Sequence, residues 1–319
     1  MRSFFPRRLI DSGMLAASIF LAVAASSATA ASAADAVATT RSSELTTAKA
    51  IVLGVVEGLT EYLPVSSTGH LVVTERILDV GQNDNTRDAT NSYTIIIQAG
   101  AIVAVVILYW RRILDMLSGL GGRSRDGAAV LKALVVAFIP AAVIGKTLGN
   151  AIEKHLLEVV PVAAAWIVGG IVIIALYRRG GGLGGARTLA LEQLSVKSAA
   201  VIGFAQAFAL WPGVSRSLVT ILGGLLVGLS LSAAVEFSFL LGLATLTAAT
   251  GYEVLVHGSR VTDAFGTGTP IVGIVAAFVS ALVAVKWMVG YLNRHDLTVF
   301  GWYRIAAGIV ALGLVATVL

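Results

Sequence analysis

The sequence predicts an all-α polytopic membrane protein, with six transmembrane helices plus two re-entrant helical hairpins in an inverted-topology repeat. Three observations predict it. Of the 319 residues, 57% are hydrophobic and only 13% charged, whereas a soluble domain carries about 25% charged residues. Several apolar runs approach the roughly 20 residues that cross a bilayer. Two further apolar segments are each interrupted near the middle by Pro and Gly beside Ser and a charge.

Along the chain, residues 1–34 are signal-like. They are basic at Arg2, Arg7 and Arg8, apolar from Met14, then rich in Ala and Ser with A-x-A patterns near Ala28 and Ala31. Asp11 is unusual in such a segment, but cleavage is favoured over a retained anchor, and either way residue 45 lies outside the cytoplasm. Residues 35–46 form a periplasmic linker. Spans are expected at about 92–110, 128–147, 157–177, 232–256, 270–289 and 301–319.

The broken segments, about 47–80 and 197–228, have the character of re-entrant hairpins, where non-helical backbone at depth is satisfied by protein or trapped water. The interruptions repeat: Leu63-Pro64-Val65-Ser66-Ser67-Thr68 matches Trp211-Pro212-Gly213-Val214-Ser215-Arg216. One broken segment followed by three spans occurs twice, over 47–177 and 197–319. Three is odd, so the second copy enters from the opposite side, and both breaks meet near the midplane. A Gly-rich cytoplasmic linker, 178–196, joins the copies.

Charge supports this layout. The cytoplasmic loops at 111–126 and 178–197 carry Arg111, Arg112, Arg123, Arg125, Arg178, Arg179, Arg187 and Lys197, while the outer loops carry only Lys146, Lys154 and Arg260. The net charge of +5 is therefore a topology signal and not a nucleic-acid footprint. No cysteine is present, which excludes disulfides and thiolate chemistry.

Glu57 and Glu61 stand four apart and share one helix face. Each carboxylate at bilayer depth costs roughly 2.5–3.5 kcal/mol, so the pair calls for a cation, a proton or a water-filled cavity. A hard divalent cation, Mg²⁺ or Ca²⁺, fits carboxylates that also face phosphate. After them, Pro64 and Gly69 bracket Ser66, Ser67 and Thr68, with His70 next. A helix starting here offers free N–H groups and a positive dipole end to an anion. Ser66 and Ser67 are candidate nucleophiles or phosphate ligands, or simple N-caps, and His70 a candidate general base or acid, or a satisfied buried histidine. In the second break Arg216 sits between Ser215 and Ser217, with Thr220 one turn on. Its planar guanidinium suits phosphate recognition, and also an ion pair with Glu57, Glu61 or Glu236. Gln98, Gln206 and Glu236 either line the same cavity or hydrogen-bond between helices, the second being the default.

The string Gly54-Val-Val-Glu-Gly-Leu-Thr-Glu-Tyr-Leu-Pro-Val-Ser-Ser-Thr-Gly-His70, with Trp211-Pro-Gly-Val-Ser-Arg-Ser217 and Glu236-Phe-Ser-Phe-Leu-Leu241, closely resembles the undecaprenyl-diphosphate phosphatases of the bacitracin-resistance type. The resemblance covers about 47–319. It implies removal of one phosphate from undecaprenyl diphosphate, regenerating the carrier for peptidoglycan, at a bacterial inner (cytoplasmic) membrane and from a site open to the periplasm. It implies that Glu57 and Glu61 do metal and acid/base work and that Ser66, Ser67 and His70 form the nucleophile and its activator. Ser215, Arg216, Ser217 and Thr220 would bind phosphate, with Thr68 counted among the substrate contacts. Many members read Ser-Arg-Ser-Gly-Ala-Thr where this chain has Leu218 and Val219, so packing behind Arg216 differs.

The expected mechanism is attack by Ser67, or by Ser66, with His70 as base, or direct attack by water. The expected partners are a polyprenyl diphosphate lipid and membrane lipids, with no nucleic acid, and a homodimer is compatible. The alternative is a polyprenyl-phosphate flippase or carrier, because transporters also place broken helices at the midplane.

Overall fold

Residues 44–178 and 188–317 are described by this computed structural model. The signal-like segment at 1–34 and the Gly-rich tract after Arg178 lie outside them. The described residues form helices and no strand, with one isolated bridge between Leu189 and Leu229. Helices α1 (Thr47–Thr60) and α2 (Ser67–Leu78) flank the first break. Next come α3 (Asp84–Ile96), α4 (Gln98–Leu108), α5 (Trp110–Leu120), α6 (Arg125–Leu156) and α7 (Val159–Arg178). Helices α8 (Val196–Ala207) and α9 (Arg216–Leu226) flank the second break, and α10 (Leu231–Phe265), α11 (Gly268–Leu292) and α12 (Thr298–Thr317) close the chain.

Among these, six helical stretches are long and apolar enough to cross a membrane: Thr86–Leu108, Arg125–Gly149, Val159–Arg178, Leu231–Phe265, Gly268–Leu292 and Thr298–Thr317. They match the six expected spans in order. Two ends differ. Helix α3 starts at Asp84, ahead of the expected 92, because its first turns are polar and invisible to hydropathy. Helix α10 continues to Phe265, past the expected 256, and stops only at Gly266, whose φ is 72°. At about 1.5 Å per residue, its 35 residues extend about 50 Å, well beyond the roughly 30 Å hydrocarbon layer. The extensions support each other: Val261 and Phe265 of α10 pack with Ala89 and Tyr93 of α3, and Thr250 Oγ1 donates to the Ile95 carbonyl at 3.1 Å.

Packing between spans relies on small residues, as expected where lipid removes the hydrophobic drive between helices. Helix α1 runs along α11 so closely that a Cβ on Gly54 would strike the Gly273 carbonyl and one on Gly58 the Ala277 carbonyl. Helix α8 runs along α6 in the same manner, with Gly203 against the Ala137 carbonyl. Helices α7 and α12 form a third close pair through Gly170, Gly301 and Gly308. These contacts fix the two short helix pairs between the long spans, and their breaks face each other.

Candidate active site

Both breaks end in the same local structure. In the first, α1 gives way after Glu61 to the Leu63-Pro64-Val65 turn, and Ser66 enters α2 with φ 73° and ψ 101°. Its hydroxyl accepts from Gly69 N–H at 3.4 Å. In the second, Ser215 enters α9 with φ 79° and ψ 112°, and its hydroxyl accepts from Leu218 N–H at 3.3 Å. A non-glycine residue at such φ is strained, and strain of this kind collects at functional sites. Serine persists here because it caps a helix N-terminus whose dipole favours negative charge. The turns interlock: Ser217 Oγ donates to the Leu63 carbonyl at 2.7 Å and lies 3.0 Å from Ser215 Oγ.

Arg216 joins the two breaks. Its Nη2 meets Glu61 Oε1 at 3.0 Å and its Nη1 donates to the Ser238 carbonyl at 3.0 Å. The guanidinium carbon stands 5.5 Å from the Tyr62 ring centroid, a cation–π arrangement. A Cβ on Gly242 would collide with the guanidinium, so glycine there makes its room. The other Glu61 oxygen, Oε2, accepts a hydrogen bond from Ser67 Oγ. A hydroxyl, a carboxylate and a guanidinium are thus linked in series within a buried region.

Glu57 lies one turn before Glu61, fully buried, and the two carboxyls are side by side. No hydrogen-bond donor reaches either oxygen of Glu57. Glu61 is already met by Arg216 and Ser67, so it is the bare Glu57 carboxyl that calls for a proton or a further cation. The donor set therefore fits a hard divalent ion. Among the described residues no group of three His, Cys, Asp or Glu could hold a metal alone.

The structure distributes the other expected residues unevenly. His70 is buried, with Nδ1 2.7 Å from the Ser66 carbonyl and Nε2 2.8 Å from the Tyr303 hydroxyl. Its ring lies against Trp166, centroids 4.5 Å apart. The side chain that receives the Ser67 hydrogen bond is thus Glu61. Thr220 is fully buried and bonded to the Arg216 carbonyl at 2.8 Å and to Ser238 Oγ at 2.7 Å, so its hydroxyl is committed to the helix behind the site. Thr68, in contrast, is exposed on the first turn of α2. Glu236 is not the partner of Arg216, for it pairs with Arg112 at 2.6 Å. Gln206 is buried with both amide atoms unpartnered, and so makes no interhelical hydrogen bond.

Sequence reasoning missed Tyr303 and Arg304. Tyr303 bonds His70, and Arg304 is fully buried against carbonyls of both breaks. The available signal was a lone arginine within the last apolar run, a residue costly enough in a span to mark function.

Membrane-length helices around a linked serine, carboxylate and guanidinium define a multi-pass membrane protein with a polar site inside it. Residues 50–310 match the family described as Bacitracin resistance protein BacA, and the chain belongs to that family. It is 48% identical over 264 residues to Undecaprenyl-diphosphatase 2 of Rhodospirillum rubrum, covering 83% of this chain and 93% of that protein. It is 46% identical to the Undecaprenyl-diphosphatase of Dechloromonas aromatica, again over 83% of this chain and 93% of that protein. With the Undecaprenyl-diphosphatase of Sorangium cellulosum the identity is 44%, over 83% of this chain and 85% of that protein.

The cap geometry makes a stability prediction. Ser215→Ala loses the cap and keeps the strained φ, and is expected to cost about 1 kcal/mol or more, whereas Ser215→Gly costs a few tenths. Thermal unfolding of the purified variants checks this order, and an alanine variant as stable as the glycine variant would contradict it.

Proposed function

We propose that this chain is an integral membrane phosphatase that hydrolyses undecaprenyl diphosphate to undecaprenyl phosphate and inorganic phosphate. It thereby recycles the lipid carrier for peptidoglycan synthesis and confers bacitracin resistance. The observation that carries the reading is the Ser67–Glu61–Arg216 series at two facing helix N-termini. A flippase would need the anion site alone, and the relatives are named as diphosphatases.

In this reading the diphosphate docks between the N-termini of α2 and α9, with the prenyl tail among the spans and in lipid. Ser67 Oγ attacks the terminal phosphorus and passes its proton to Glu61 Oε2, to which it is already bonded. The bond from that phosphorus to the bridging oxygen breaks, and undecaprenyl phosphate leaves. Arg216 balances the charge on the equatorial oxygens. Water then hydrolyses the phosphoserine, releasing phosphate and restoring the Ser67 hydroxyl. Glu57, with Glu61 beside it, would hold Mg²⁺ or Ca²⁺, which when bound supplies further charge neutralisation. His70, hydrogen-bonded to the Ser66 carbonyl, holds the strained cap that aims the neighbouring Ser67.

The decisive assay is phosphate release from undecaprenyl diphosphate by purified protein, with and without chelator. Wild type is expected to be active, and chelation to abolish turnover until Mg²⁺ or Ca²⁺ is returned. Arg216→Ala should lose on the order of 100- to 1,000-fold in kcat. No release by wild type, or normal turnover by Arg216→Ala, would overturn the reading. Near-normal turnover by Ser67→Ala would replace serine attack with direct attack by water.

The two helix pairs are proposed to be re-entrant hairpins in an inverted repeat, within a bacterial inner membrane and with the site open to the periplasm. Three features support this. The cap serines share one unusual conformation. Gly54 and Glu57 precede Ser66 at the same offsets as Gly203 and Gln206 precede Ser215. Helix α1 packs on α11, the second full span of the second half, while α8 packs on α6, the second span of the first. Because the chain lacks cysteine, orientation is directly measurable. An impermeant thiol reagent should label Ser259→Cys in intact cells and Arg123→Cys only after permeabilisation, and the reverse pattern refutes the orientation.

A further inference from the structure

Arg304 leads the fully buried side chains of the described residues in size, and its burial is complete. Its guanidinium bonds only backbone. Nη1 donates to the Pro64 carbonyl at 3.3 Å, and Nη2 donates to the carbonyls of Ala165 and Gly213, both at 2.9 Å. Pro64 stands two residues before the cap Ser66, and Gly213 two residues before the cap Ser215. One fork therefore grips the equivalent carbonyl of each break and ties both to α7. No carboxylate forms a salt bridge with it among the described residues, so its charge is met by carbonyl dipoles. Gly169 leaves the space that the guanidinium fills, since a Cβ there would run into it.

We propose that Arg304 is a positioning residue for the phosphoryl transfer, setting the separation of the two helix N-termini between which the diphosphate reacts. It does not touch the substrate, because it is sealed from the surface and three of its N–H donors are held by carbonyls, while Nε is buried without a partner. Only a planar fork with several donors serves, as lysine offers a single point of charge and cannot span three carbonyls. Through Pro64 it sets where Ser66 and Ser67 begin α2. Through Gly213 it sets where Ser215 and Arg216 begin α9. The adjacent Tyr303 holds His70 at 2.8 Å, so α12 locates both sides of the site.

The inference rests on the phosphatase reading for its kinetic arm, while a distance measurement tests it independently. In the cysteine-free chain, spin labels at Ile77→Cys and Phe208→Cys, both exposed, report the separation of the two helix pairs. Two variants disturb the fork: Arg304→Lys shortens it, and Gly169→Ala displaces it without removing the guanidinium. Both should broaden the label distance distribution. Both should lower kcat on the order of 100-fold, the effect of a misplacement of about 1 Å, with KM little changed. If Arg304→Lys does not fold, Gly169→Ala decides alone. A kcat near wild type, or a lost kcat with an unchanged distance distribution, overturns the proposal. If the wild type itself releases no phosphate, the phosphatase reading fails, and the distance distribution by itself decides whether Arg304 sets the separation.

Discussion

The buried ion pair between Arg216 and Glu61 is the constraint to which the rest of the structure answers. Each partner comes from a different break, so the pair exists only when the two short helix pairs meet. Removing two charges from water costs several kcal/mol per ion, and attraction offsets this only with good geometry and further hydrogen bonds. The surroundings supply them. The Ser238 carbonyl takes one guanidinium donor, Ser67 donates to the second carboxylate oxygen, and the Tyr62 face flanks the cation. Gly242 leaves room for the guanidinium where any side chain would exclude it.

The strained caps follow from the same demand. To bring Ser67 to Glu61 and Arg216 to the opposite side, each chain must turn from one helix into the next within a few residues. Ser66 and Ser215 make that turn at positive φ, while their hydroxyls satisfy an N–H that lipid would leave bare. Glycine would relieve the backbone but not cap it. The result is two capped helix N-termini brought together by the Ser217 bond to the Leu63 carbonyl, each with the dipole end that favours negative charge.

Much of this was legible in the sequence because apolar surroundings make polar residues conspicuous. Glu57, Glu61, Ser67 and Arg216 stood out, and the structure gathers them. The six spans were legible from hydropathy for the same reason. What escaped were relations between residues distant in sequence. That Ser67 bonds Glu61 while His70 turns to Tyr303 depends on rotamers and on α12, which no local spacing encodes. Arg304 was visible as a lone arginine in the last apolar run, but its bonds to the Pro64 and Gly213 carbonyls join residues far apart in the chain and were not. The polar first turns of α3 and the long end of α10 were missed because they are held by packing on each other, Ala89 and Tyr93 against Val261 and Phe265, which hydropathy does not register.

A double-mutant cycle in Glu61→Gln and Arg216→Gln tests most directly whether the pair holds the two breaks together. Each single variant strands a buried charge and is expected to cost about 3–5 kcal/mol. Unfolding measurements on the purified proteins should find the double variant more stable than the sum of the single losses allows, with a coupling of the order of 1–3 kcal/mol. Strictly additive losses would mean that the two residues act independently and would contradict the account.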